Sequence, residues 1–178
     1  MPGPGKDWYH LIFNTRGSWL PGDPRGFRSR NHRKHSDGDY NSPPPAGQHA
    51  GLHKLIRGKS KPAVTLPADL FETIGQAALD KSASQGHRIL AIAVDAHHVH
   101  VLAELPDDRL AVKRIVGSWK QRASHKVRER LPGEVWSKSC DPVQVKDPVH
   151  HRQVFEYIPA HAQQGAWVWS YKEDAEHE

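Results

Sequence analysis

Two imidazoles separated by a single residue, His98 and His100, sit inside the segment Asp95-Ala96-His97-His98-Val99-His100-Val101-Leu102. In a strand, successive side chains alternate faces, so both rings point the same way, about 7 Å apart along the backbone. They can therefore converge on one metal ion, while Val99, Val101 and Ala103 supply the opposite, apolar face. Taken alone, the pair is equally a couple of surface histidines on a half-exposed strand. A second pair adds to it. Tyr157 and His161 are four residues apart, which makes them neighbours on one face of a helix. A phenol beside a third potential ligand suits covalent phosphoryl transfer. The phenol attacks phosphorus, and a cation neutralises the non-bridging oxygens as charge shifts. Read singly, Tyr157 is a core aromatic following Val154 and Phe155, and His161 a helix-end histidine complementing the dipole. The spacing between them favours the chemical reading.

Those side chains need elements to hold them. Residues 8–15 (WYHLIFNT) are aromatic and β-branched and predict a first strand. Residues 68–85 show helical periodicity through Leu70, Phe71, Ile74, Ala77 and Ala78, with Gly86 as a stop. Residues 88–95 and 97–104 predict two strands joined by a tight turn. Asp107 or Asp108 can cap the next helix, which runs to about Arg130 with an apolar stripe of Val112, Ile115, Val116, Trp119, Ala123 and Val127. Residues 135–146 predict one or two short strands broken by Pro142. A last helix covers residues 148–164, and Trp167, Trp169 and Tyr171 form an aromatic tail that packs back on the body. The order strand, helix, strand, strand, helix, strand predicts a ferredoxin-like α+β fold: a four-stranded antiparallel sheet with helices on one face, plus an appended C-terminal helix bearing the tyrosine.

The 178 residues fit one domain, 1–178. Within it, residues 16–67 predict an irregular basic insertion, broken by Gly17, Pro21, Gly22, Pro24, Gly26 and the prolines at 43–45. It carries Arg25, Arg28, Arg30, Arg33, Lys34, Lys54, Arg57, Lys59 and Lys61. The single cysteine, Cys140, excludes a disulfide framework within the chain and fits a reducing cytosol. No apolar run approaches the roughly 18 to 20 residues of a membrane span, and no signal-peptide stretch is present. A soluble, cytoplasmic, nucleoid-associated protein is expected, without membrane partners. The net charge of +5 favours a polyanion, of which nucleic acid is the commonest.

The chain resembles a known family. His98-Val99-His100 looks like the HUH motif (histidine, bulky hydrophobic, histidine). Residues Val154-Phe155-Glu156-Tyr157-Ile158, with His161 and Gly165-Ala166, are similar to the tyrosine helix of single-tyrosine HUH transposases, a family that includes insertion-sequence transposases and REP-associated tyrosine transposases. The stretch from Thr15 to Asp23, with Arg25-Gly26, resembles an N-terminal segment of one branch. The resemblance implies that His98, His100 and His161 hold a divalent metal and that Tyr157 attacks single-stranded DNA, giving a 5′-phosphotyrosine link and a free 3′-OH. It also implies DNA hairpins as partners, homodimers in many cases, and no nucleotide cofactor. Magnesium or manganese is implied, and three imidazoles favour manganese. Pro159, between Tyr157 and His161, is a departure that predicts a kink.

The helix after the histidine strand carries Lys113, Arg114, Lys120, Arg122 and Lys126, and beyond them Arg128 and Arg130. These predict a phosphate-tracking surface or, more plainly, a solvated helix face. Trp136 and His97 are candidates for stacking on an extruded base. Two other readings compete: a non-catalytic nucleic-acid-binding module on the same fold, and a metal hydrolase in which water attacks.

Overall fold

A computed structural model describes residues 2–24, 47–138 and 140–171. Its centre is the hairpin of β2 (Arg88–Val94) and β3 (His98–Pro106). β1 (Lys6–Asn14) pairs antiparallel with β3, setting Ile12 opposite His100 and His10 opposite Leu102. β4 (Asp141–Gln144) pairs with the outer side of β1, and β5 (Trp167–Ser170) with the outer side of β2. The sheet order is β4-β1-β3-β2-β5, all antiparallel. Its first four strands are in the ferredoxin-like order. The fifth strand is where the structure exceeds expectation: part of the aromatic tail packs back by strand pairing. Pro142 does not break β4, because an edge strand tolerates a residue that cannot donate.

The sheet has two differently furnished faces. One presents Leu11, Phe13, Ile92, Val94, Val99, Val101 and Leu105, all fully or nearly fully buried. Against this apolar surface lie α2 (Phe71–Ser84) and α3 (Arg109–Val127), through Ile74, Ala77 and Ala78 of the first and Val112, Val116 and Trp119 of the second. Asp108 caps α3 as its carboxylate accepts from the N–H groups of Leu110 and Ala111. Gly75 is needed where α2 meets β5, since any Cβ there would run into the indole of Trp167.

The other face carries Trp8, Ala91, Ala93 and Leu102, covered by Val154 of α4 (Pro148–Tyr157) and the following Ile158. The two alanines leave room for a helix to lie close. Fully burying an aliphatic side chain of this kind contributes roughly 1.5–3 kcal/mol. α4 therefore lies on the opposite side of the sheet from α2 and α3. The backbone then continues as a 3₁₀-helix, Pro159–Gln164, ended by Gly165 in the left-handed region at φ 83°.

Residues 17–64 separate as a compact unit of their own. Within it the structure forms α1 (Ala50–Lys59), where proline and glycine content predicts irregular chain. The segment between Gly47 and Ser60 holds no proline, and Leu52 and Ile56 repeat at helical spacing. Ser60 ends the helix, its hydroxyl donating to the Ile56 carbonyl at 2.8 Å. Arg25, Arg28, Arg30, Arg33, Lys34, Gly26 and the prolines at 43–45 lie outside the described residues. Among the described residues, no helix is long and apolar enough to cross a membrane.

Candidate active site

The strand alternation expected of β3 is realised. Val99 and Val101 are inaccessible on the α2/α3 face, while His98 and His100 emerge on the α4 face with ring centres 5.0 Å apart. Helix α4 and the 3₁₀ turn bring Tyr157 and His161 to the same place. His161 lies 4.4 Å from His100 and 6.4 Å from His98, centre to centre. The Tyr157 ring is 4.6 Å from His161 and 5.6 Å from His100, and half of its side chain remains exposed. All four candidate residues thus meet within one chain.

Pro159 does not pull them apart. The α-helix ends at Tyr157, and the proline opens the tighter 3₁₀ turn, where its missing N–H costs little. Ile158 anchors the junction, and the His161 N–H bonds the Ile158 carbonyl at 3.2 Å.

Each imidazole is held through its Nδ1. His98 Nδ1 lies 2.5 Å from Asp95 Oδ2, whose other oxygen accepts from the backbone N–H groups of His97 and His98. Burial pushes the Asp95 carboxyl up, but the His98 ring and the two N–H groups outweigh it and hold it at about 2. His161 Nδ1 bonds the Tyr157 carbonyl at 3.1 Å. His100 Nδ1 lies 3.2 Å from His10 Nε2. Burial drives His100 down to about 3 and His10 to about 4, with neighbouring imidazoles adding to the effect, so both rings are neutral at pH 7. An imidazole whose Nδ1 donates to a neighbour leaves Nε2 free to act as a ligand, the arrangement typical of metal-binding histidines.

This donor set fits a divalent ion. Imidazoles bound at about 2.1 Å on adjacent positions place their ring centres about 4.5–5 Å apart. The His98–His100 and His100–His161 spacings match, while His98 and His161, 6.4 Å apart, must draw together by roughly 1.4–1.9 Å to reach the spacing of bound rings. Among the described residues, no group of three or more histidines, cysteines or carboxylates has the geometry to hold a metal ion as it stands.

Two residues at this site carry no sequence signal for it: Asp95 reads only as the start of the histidine segment, and His10 only as part of a strand. The His10 ring also meets the edge of Tyr157 at 5.9 Å.

The basic positions divide. Lys113, Arg114, Arg122 and Lys126 are exposed on α3, in the layer across the sheet from the histidines. Lys120 corrects the expectation. It is buried, donates to the Ser137 carbonyl at 3.0 Å and lies over the Phe13 ring, because it falls on the inward stripe between Val116 and Ala123. Trp136 is likewise buried, its indole N–H bonded to the Lys120 carbonyl and its ring against Phe13, so it is no stacking platform. His97 sits in the β2–β3 turn.

Comparison with known proteins places this arrangement in context. Residues 51–161, more than half of the chain, match the family model described as "Transposase IS200 like". No curated protein matches the chain in sequence. Among solved structures, the chain is similar to a REP-associated tyrosine transposase bound to a REP hairpin, with 13% identity and a TM-score of 0.50 over 93% of this chain and 72% of that one. It also matches a protein from Deinococcus radiodurans R1 described as a transposase, with 15% identity and a TM-score of 0.42 over 90% of this chain and 96% of that one.

Proposed function

Because this chain belongs to the IS200-like transposase family, we propose that it nicks and rejoins single-stranded DNA by a metal-dependent reaction in which Tyr157 is the nucleophile. The observation that carries this is the meeting of Tyr157 with His98, His100 and His161 on one face of the sheet, from elements far apart in sequence. The phenol oxygen attacks the scissile phosphorus, and the bond from phosphorus to the 3′ oxygen breaks. The DNA 5′ end is left as a phosphotyrosine, and the proton lost by the phenol is balanced by the one gained by the 3′ oxygen. Attack by another 3′-OH reverses the step and joins strands, so no nucleotide cofactor is consumed. When bound, a divalent ion supplies charge neutralisation at the non-bridging oxygens. His98, His100 and His161 would hold it through their ring nitrogens, and three imidazoles suit manganese better than magnesium.

The half-exposed Tyr157 leaves room for an extended strand to approach. DNA hairpins are the proposed substrates, in keeping with the REP hairpin bound to the structural relative. Lys113, Arg114, Arg122 and Lys126 are proposed to touch phosphates of flanking DNA away from the reacting centre. Residues 1–178 are read as one transposase-like domain carrying a basic insertion at 16–67, and the tyrosine as completing the site of its own chain, whether or not the protein pairs as a homodimer.

The test is incubation with hairpin-bearing single-stranded DNA and manganese, followed by denaturing electrophoresis. Wild type is expected to form a covalent protein–DNA adduct, and Tyr157→Phe none. An undiminished adduct in Tyr157→Phe contradicts the assignment of the nucleophile. Cleavage without adduct indicates attack by water. Salt-sensitive binding without cleavage indicates a binding module.

A further inference from the structure

We propose that His10 is a positioning residue for the metal centre, fixing the tautomer of His100 so that Nε2 of His100 faces the ion. The inference rests on the metal-dependent reading above and deepens it. His10 projects from β1 onto the same face as His100, stacks against it with ring centres 5.5 Å apart at 29°, and places Nε2 3.2 Å from His100 Nδ1. Only one proton fits between those two nitrogens. To ligate through Nε2, a neutral His100 must carry its proton on Nδ1. His10 Nε2 must then be the acceptor, and the His10 proton must sit on its own Nδ1. If the shared proton belongs to His10 instead, His100 holds its proton on Nε2 and cannot bind an ion.

The other two ligands face no such choice. The Tyr157 carbonyl is an acceptor only, so His161 is compelled to donate through Nδ1, and His98 Nδ1 faces the acceptor-only carboxylate of Asp95. His10 alone of the three partners can either donate or accept, which makes His100 the ligand whose readiness is set by a neighbour. The same His10 ring abuts Tyr157, so the residue that orients the central ligand also borders the nucleophile.

The prediction is read by titrating the full chain with manganese chloride, following unbound manganese by electron paramagnetic resonance. His10→Phe keeps a ring in place but offers no acceptor, and is expected to weaken binding about 10- to 100-fold. His10→Gln, whose amide oxygen can accept from His100 Nδ1, is expected to restore most of the affinity. Imidazole ¹⁵N shifts of zinc-loaded wild type should report a proton on His100 Nδ1. Urea midpoints of the metal-free proteins separate lost positioning from lost folding. Should His10→Phe not fold, His10→Leu takes its place in the comparison. Binding by His10→Phe or His10→Leu at wild-type affinity overturns the proposal, as does a glutamine variant no better than they are. Wild type that fails to bind manganese overturns the metal reading itself, and the role of His10 with it.

Discussion

Truncating Ile158 to alanine tests whether the tyrosine element is docked where the chemistry needs it. Ile158 is fully buried and follows Tyr157 directly, packing with Val154 onto Trp8, Ala91, Ala93 and Leu102. Ile158→Ala removes three carbons, worth about 0.8 kcal/mol each in lost transfer free energy, or roughly 2.4 kcal/mol. Two rigid layers, sheet and helix, limit collapse into the space left behind. The cavity contribution brings the expected loss to about 3–4 kcal/mol, inside the usual range for such truncations. For a chain of this size each kcal/mol lowers the melting temperature by about 2–4 °C, so a fall of about 6–16 °C is expected by circular dichroism. Val149→Ala is the control: it lies on the same helix but is exposed, and should change stability by less than about 0.5 kcal/mol. If Ile158→Ala melts as high as the control, α4 does not rest on this face in solution, and the convergence of Tyr157 on the histidines loses its support.

Further predictions concern packing, pH and charge. Gly75→Ala drives a methyl into the Trp167 indole and should cost about 1–3 kcal/mol in urea unfolding, whereas Gly58→Ala, which meets nothing, should not destabilise. For the metal-free protein, His10 and His100 have folded values of about 4 and 3, below the 6.5 of the unfolded chain. Their contribution to stability is therefore full above pH 6.5 and is lost as pH falls toward 4, because the unfolded state takes up the protons. The slope is at most about 1.4 kcal/mol per pH unit per ring, less for the partly exposed His10. Urea midpoints should drop between pH 7.5 and 5 and drop less in His100→Asn; equal slopes would refute this. The double variant Lys113→Glu, Arg122→Glu should weaken hairpin binding and flatten its salt dependence while leaving manganese affinity unchanged. Unaltered DNA binding would remove α3 from the interface.

Much of this was legible because local periodicity reports which face a side chain occupies. The alternation through His98, Val99, His100 and Val101 set the ligand face of β3 before its partners were known, and the i, i+4 relation of Tyr157 and His161 survived a change from α- to 3₁₀-helix. Lys120 is legible in the same way: it stands four residues after Val116 and three before Ala123, a position that belongs to the buried stripe and not to the solvated face its charge suggests. His10 was not legible in this sense. Its strand could be recognised, but its contact with His100 depends on the long-range pairing of β1 with β3, which no local pattern encodes. The pairing of β5 with β2 is long-range in the same way, and its four residues are too few to establish a period.

The most direct measurement is mass spectrometry of the protease-digested product formed with single-stranded hairpin DNA, manganese and the wild-type chain. The account predicts a peptide containing Tyr157 that carries a nucleotide through a phosphodiester to the phenol oxygen. Nucleotide found on any other residue, or cleaved DNA with an unmodified Tyr157 peptide and no adduct at any time point, would contradict it.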